Sequence, residues 1–161
     1  MKKWLKQTKN LAFIVLMLSA GAVKAGAADT GAAMLASLNA TELTARDIKT
    51  LHYVQNAHGQ LDEWSFRLLS RLKKGQGPRE REPILDGRAD LQVQKIAVTY
   101  AGYTHTDALK ETLAALADAH EKRLRVLQAM TVSDVDAERF KKLNAPVQEL
   151  VAALREWSEK R

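Results

Sequence analysis

The chain has 161 residues, of which 25 are basic and 19 acidic, and it contains no cysteine. This length fits one domain, and the lack of cysteine excludes disulfides, thiolate metal sites and covalently attached c-type haem. The net charge of +6 does not indicate nucleic-acid binding: five lysines lie in the first 28 residues, and without them 20 basic residues face 19 acidic ones, which is too balanced for a phosphate-binding surface.

Residues 1–25 have the layout of a secretory signal peptide. A lysine-rich start precedes an apolar run from Leu11 to Val23, and Val23-Lys24-Ala25 resembles a cleavage site. The run is 13 residues long, shorter than the ~20 that span a bilayer as a helix. We therefore expect export to the periplasm of a bacterium, with secretion from the cell as the alternative. Residues 26–43 are rich in small side chains and are predicted to form a mobile arm before a helical domain at 44–161.

A long helix is predicted over residues 44–74. Thr44 is a suitable N-cap, Asp47 lies at the third helical position, and Gly75 is a natural stop. One face of this helix carries residues spaced alternately by three and four positions, which is typical of packing against other helices. These residues are Leu51, Val54, His58, Leu61, Ser65, Leu68 and Leu72. The two polar members, His58 and Ser65, are the unusual ones.

The segment 75–87 is predicted to be an irregular loop. Gly77-Pro78 and Glu82-Pro83 interrupt helices, and Asp86-Gly87 is typical of a turn. Loops of this length are often functional, although mixed charge is also what an exposed connector carries. Arg79 and Arg81 are therefore candidate contacts for a partner protein.

Three further helices are predicted at about 88–104, 106–130 and 134–159. The segment 89–103 also fits a strand, because Ile96 to Tyr100 is rich in β-branched residues, but a single strand among helices would have no pairing partner. The apolar face of the last helix stays in phase across Pro146, which predicts one kinked helix or two nearly coaxial ones. The pattern as a whole indicates an all-α fold, an antiparallel bundle of about four helices.

His58 and His120 both lie on apolar helix faces, each 14 residues after the threonine that caps its helix. If the first and third helices run parallel, the two imidazoles lie at the same height. This is the geometry of a b-type haem or a transition-metal site inside a bundle, with Asp62 as an additional ligand and Gly59 and Ala119 leaving room. The alternative is that each histidine hydrogen-bonds a polar group at the bundle edge.

No catalytic motif is present: the sequence has no glycine-rich phosphate loop, no H-E-x-x-H and no G-x-S-x-G. Ser65 lies two helical turns from His58, too far for a nucleophile–base pair. We therefore predict a non-enzymatic exported protein that acts through protein–protein contacts or self-association. The strict period of the last helix supports a coiled-coil partner, and packing within the chain explains that period equally well. Such proteins serve as chaperones, as accessory parts of secretion or conjugation machinery, or as secreted effectors. Trp157 would be a contact residue if exposed, and haem or metal binding at His58 and His120 is the alternative function.

Overall fold

A computed structural model describes residues 27–76 and 83–160. The predicted signal peptide and the loop residues Arg79 and Arg81 lie outside the described residues. All regular elements within those ranges are helical, which confirms the all-α prediction. The five α-helices are α1 (Ala27–Asn39), α2 (Ala45–Lys73), α3 (Pro83–Gln94), α4 (Asp107–Ala129) and α5 (Ala137–Glu159). Among the described helices, none combines the length and the apolar character needed to cross a membrane.

Helix α1 replaces most of the predicted mobile arm. It packs along α5, and Leu38 is fully buried in the main core. At Gly31 the two helices are so close that an added Cβ would lie 3.0 Å from the Cβ of Glu149. Small side chains at a helix contact reduce the distance between the axes. The composition that suggested a poorly ordered arm therefore serves close packing in the structure.

Helix α2 starts and stops at the predicted residues. The backbone N–H of Asp47 donates to the Thr44 hydroxyl at 3.2 Å, and the Asp47 carboxylate accepts from the Thr44 backbone N–H at 2.9 Å. This reciprocal pair satisfies two N–H groups that the first helical turn leaves without intrahelical partners. At the other end Gly75 has φ of 78°, a left-handed conformation that glycine adopts without steric cost.

The predicted start of α3 was wrong by five residues. The helix begins at Pro83 and contains Asp86 and Gly87, which were expected to form a turn. Proline is well suited to the first helical position, because its missing N–H would have no intrahelical partner there. The run continues as a π-helix at Lys95–Tyr100 and a 3-10 turn at Ala101–Tyr103, so the helical alternative is confirmed over the strand.

Helix α5 is one element, with Pro146 inside it. It begins at Ala137, three residues later than predicted, because Asp136 is its N-cap and accepts from the Glu138 backbone N–H at 2.9 Å. Trp157, near the end of α5, is only 3% exposed and belongs to the main core. Its indole therefore packs inside the protein, and Trp157 does not meet the condition of exposure on which its candidacy as a contact residue depended. The periodic face of α5 is used within the chain.

Asp47 also connects α2 to the beginning of α4. Its fully buried carboxylate accepts hydrogen bonds from the hydroxyls of Thr104 and Thr106 in addition to those from Thr44. Burial alone would raise the pKa of Asp47, but the hydrogen bonds from Thr104, Thr44 and Thr106 outweigh burial and lower this pKa. The ionised carboxylate thus joins the starts of two helices.

Side-chain contacts give the relative directions of neighbouring helices. Tyr53 of α2 contacts Tyr100, whereas Gln60, further along α2, contacts Gln92, which precedes Tyr100 in the chain. Helix α2 and the helical segment from α3 to Tyr100 therefore run in opposite directions. Helix α4 runs parallel to α2, because the contacts between the two helices occur at nearly constant sequence separation. The starts of α2 and α4 consequently lie at the same end of the molecule.

Candidate functional site

The structure brings His58 and His120 into contact. His58 Nδ1 lies 3.2 Å from His120 Nε2, and the ring centroids are 5.3 Å apart. The parallel course of α2 and α4 produces this meeting, as the equal offsets from the helix caps predicted. His120 is 1% exposed, and 13% of the His58 side chain is exposed.

A buried arginine on α4 organises the polar groups around the two histidines. Arg123, itself 1% exposed, donates from Nη1 to Asp62 Oδ1 at 2.7 Å and to Asn144 Oδ1 at 2.5 Å. Its Nη2 lies 3.0 Å from His120 Nδ1. The carboxylate of Asp62 also accepts from Gln148 Nε2 at 3.3 Å. One guanidinium thereby joins α4 to α2 and α5.

Three polar residues of the site were not predicted from the sequence: Arg123, Asn144 and Gln148. A signal for Arg123 was present: it lies three residues after His120 and seven after Leu116, which places it on the apolar face of α4. Asn144 and Gln148 carry no comparable signal, because only the packing of α5 against the other two helices brings them to the site.

Arginine only donates hydrogen bonds, and this fixes the protons on both rings. His120 Nδ1 must accept from Arg123, so the proton of neutral His120 is on Nε2, where it is donated to His58 Nδ1. The proton of His58 is then on its Nε2, which faces Asp62 Oδ2 at 3.3 Å. The four side chains form a closed ring of polar contacts, with one positive and one negative charge and two neutral imidazoles.

The electrostatic environment agrees with this assignment. Burial, followed by the positive charge of Arg123 and the coupling to His58, lowers the pKa of His120 to about 2. Burial also lowers the pKa of His58, where the carboxylate of Asp62 opposes the shift and Arg123 and Arg155 add to it. Both imidazoles are therefore neutral at pH 7.

The fit of this site to haem or a metal ion is poor. Metal–nitrogen bonds of ~2.0–2.1 Å place two nitrogens on either side of a haem iron ~4 Å apart, with a porphyrin between them, whereas His58 and His120 are in contact. A metal bound by His58 Nδ1 and His120 Nε2 would move the proton of His120 to Nδ1, where it would face the N–H of Arg123. The guanidinium already supplies the cation beside Asp62. His58, Asp62 and His120 nevertheless offer three donor atoms within 4.8 Å of one another.

A groove of about 340 Å³ lies beside His58, between α2 and α5. Its lining is partly apolar, with polar groups around the same opening. The lining residues are Leu51, Val54, Gln55, His58, Gly59, Val151, Leu154, Arg155 and Ser158. An added Cβ at Gly59 would meet no atom within 4 Å, so the space beside this glycine is open, whereas Ala119 is packed in the core at 7% exposure.

A second surface, at the common start of α2 and α4, carries three tyrosines: Tyr53, Tyr100 and Tyr103, here named the tyrosine surface. Tyr53 stacks on Tyr100 with centroids 5.6 Å apart and contacts Tyr103 at 5.8 Å. Tyr53 and Tyr103 are 38% and 45% exposed. A depression of about 260 Å³ next to them is lined by Arg46, Lys49, Thr50, Tyr53 and Tyr103.

The π-helix contributes to this surface. Tyr100 ends it, and Val98 within it is 73% exposed. Single-turn π segments are frequent at functional sites. Partial burial, followed by the phenols of Tyr103 and Tyr53, raises the pKa of Tyr100, so its hydroxyl keeps its proton as a hydrogen-bond donor.

The remaining predicted polar position, Ser65, has a structural role. Its buried hydroxyl donates to the carbonyl of Leu61, one turn earlier on the same helix, at 2.7 Å.

Comparison of this chain with protein-family models, curated proteins and solved structures gives no match. Conclusions about function therefore rest on the chemistry of the site and the two surfaces.

Proposed function

We propose that this protein is an exported, non-enzymatic antiparallel helical bundle that binds an acidic segment of another protein in the bacterial envelope. The observation that carries the proposal is the tyrosine surface. Tyrosine and arginine are enriched among the residues that contribute most to protein–protein binding, and tyrosine offers a large contact area with few rotatable bonds.

Charge complementarity indicates the partner. Arg46 and Lys49 line the depression beside Tyr53 and Tyr103, and none of its lining residues is acidic. The phenols supply hydrogen-bond donors, and Val98 adds an exposed apolar side chain on the same helical run. An acidic segment with apolar side chains would pair with both features.

Other parts of the proposal rest on separate arguments. The lysine-rich start and short apolar run of residues 1–25 support export, with the periplasm favoured over secretion. The non-enzymatic assignment is supported by the polar ring at His58, because the ring nitrogens of His58 and His120 are all engaged in polar contacts within the protein.

Site-specific photo-cross-linking in intact cells tests the proposal. A photoreactive residue replaces Tyr103, which is exposed and lines the depression of the tyrosine surface, or Val132 as the control. Val132 follows α4, a helix of 23 residues, and so lies about 34 Å from its start. We expect a product at position 103 only, with an acidic envelope protein, and loss of this product in the Arg46→Glu/Lys49→Glu variant. Equal products at both positions, or a product that withstands the charge reversal, would contradict the proposal.

Transition-metal binding by His58, Asp62 and His120 is a second candidate, favoured by the three donor atoms within 4.8 Å. It requires Arg123 to move away from His120 and Asp62. Elemental analysis and an absorption spectrum of protein purified from the envelope test for a metal and for haem. Stoichiometric metal that is lost in His120→Gln would establish the site, and metal-free protein with no Soret band after haem addition would eliminate it.

A further inference from the structure

We infer that the groove between α2 and α5 binds a small monocarboxylate with an apolar chain, such as a medium-chain fatty acid. This inference is independent of the tyrosine surface, because the groove lies between α2 and α5 and shares no lining residue with the depression beside Tyr53. Its volume of about 340 Å³ lies within the range of roughly 300–1,000 Å³ that is usual for small-ligand sites.

The lining indicates both parts of the ligand. Leu51, Val54, Val151 and Leu154 provide apolar walls on the two helices. Arg155 is the only charged residue of the lining, since the His58 ring is neutral. No carboxylate of the described residues lies within ion-pair distance of its guanidinium. A guanidinium binds a carboxylate through two parallel hydrogen bonds. The groove therefore presents one cation beside an apolar surface.

Gly59 is the second observation. A glycine in a helix interior costs about 1 kcal/mol relative to alanine, and this position is well inside the 29 residues of α2. The packing of the protein does not require glycine here, since an added Cβ meets no atom within 4 Å. The absence of a side chain instead keeps the groove open beside His58.

His58 closes the inner side of the groove. Its Nδ1 accepts from His120, and its Nε2 faces Asp62, so neither nitrogen is available to a ligand. Because the imidazole is also neutral at pH 7, it lines the groove without binding the carboxylate. Arg155 is then the group that binds the carboxylate of the ligand. Gln55 and Ser158 add side chains with hydrogen-bonding groups at the same opening.

Isothermal titration of the purified protein with decanoate tests the inference, with decanol and acetate as probes that lack the carboxylate and the chain. We expect saturable binding of decanoate only. The variant Arg155→Gln should bind about tenfold more weakly, as expected for loss of a hydrogen bond to a charged group, whereas Arg155→Lys should retain part of the affinity. Gly59→Leu should abolish binding by filling the groove, whereas Gly59→Ala, which adds one methyl group to the lining, should weaken it only in part.

Far-UV circular dichroism identifies variants that fail to fold, and Arg139→Gln removes an exposed arginine on α5 as a matched control. Equal binding of decanol, or decanoate binding unchanged in both Gly59→Leu and Arg155→Gln, would overturn the inference. Tighter binding of an N-acetylated apolar tripeptide with a free carboxylate would overturn the assignment of the chain to a fatty acid. A decanoate affinity that survives Arg139→Gln and is lost in Gly59→Leu supports it.

Discussion

The stability of this protein should decrease between neutral and mildly acidic pH because of His120. The pKa of this imidazole is lowered from 6.5 to about 2 in the folded protein. At neutral pH the ring is uncharged in both the folded and the unfolded chain. As the pH falls below 6.5, the unfolded chain takes up a proton that the folded protein does not, so the unfolded state gains stability.

The magnitude follows from one proton per molecule. Each pH unit below the unfolded pKa costs about 1.4 kcal/mol, so the free energy of unfolding should fall by about 2.5 kcal/mol between about pH 7.5 and about pH 4.5. His58, whose pKa is also lowered, adds a loss of the same sign. Acidic groups such as Asp47, with pKa values below 3.8, lose their contribution only at lower pH.

Urea unfolding followed by circular dichroism at several pH values measures this loss. The urea midpoint should move down by roughly 1–2 M over this range. In His120→Gln the free energy of unfolding at neutral pH should be lower. The number of protons that this variant takes up on unfolding at mildly acidic pH should be smaller by about one. His52→Gln is the control, because His52 lies on the exposed surface. A pH dependence in His120→Gln equal to that of the wild type would refute the assignment of a buried, neutral His120.

Four further substitutions test the packing and the polar contacts, each by urea unfolding at neutral pH. Asp47→Ala should lower the free energy of unfolding by about 2–4 kcal/mol, since it removes the carboxylate half of the capping box and the charge-assisted hydrogen bonds from Thr104 and Thr106; a loss below about 1 kcal/mol would contradict the link to α4. Arg123→Met should cost about 3 kcal/mol by leaving the Asp62 carboxylate without its cation, and adding Asp62→Leu should restore part of the loss; no restoration would contradict the pairing. Gly75→Ala should cost about 1–2 kcal/mol because its φ is 78°. Gly59→Ala should instead stabilise by about 1 kcal/mol, and a destabilised variant would mean that the position is packed.

The helices that could be predicted are those in which the spacing of apolar residues indicates the face that packs. The apolar faces of α2, α4 and α5 repeat at helical spacing, and the caps at Thr44 and Gly75 are local chemistry. Helix α1 could not be predicted in this way, because its docking depends on the absence of a side chain at Gly31, facing α5. The start of α3 was missed because Pro83 was taken to end a helix, although proline also suits the first turn of one.

The residues of the candidate site could likewise be predicted only in part. The pair His58 and His120 followed from equal distances to two helix caps. The role of Arg123 did not follow from the sequence, because a charged residue on an apolar face becomes favourable only with buried polar partners. Here Asp62 and Asn144, on two other helices, accept hydrogen bonds from its Nη1. The tyrosine surface depends on the π-helix that ends at Tyr100, and the sequence pattern gives no sign of that local change of winding.

The contact between Lys160 and Asn39 has a practical consequence for studying this protein. Lys160 Nζ donates to Asn39 Oδ1 at 3.2 Å, which places the end of α5 beside the end of α1, a few residues before α2 begins. An affinity tag or fluorescent fusion joined after α5 would thus project from the same end of the molecule as the tyrosine surface, where its bulk would compete with a binding partner. The turn at Val132–Asp134, about 34 Å away along α4, is the better position for an epitope insertion.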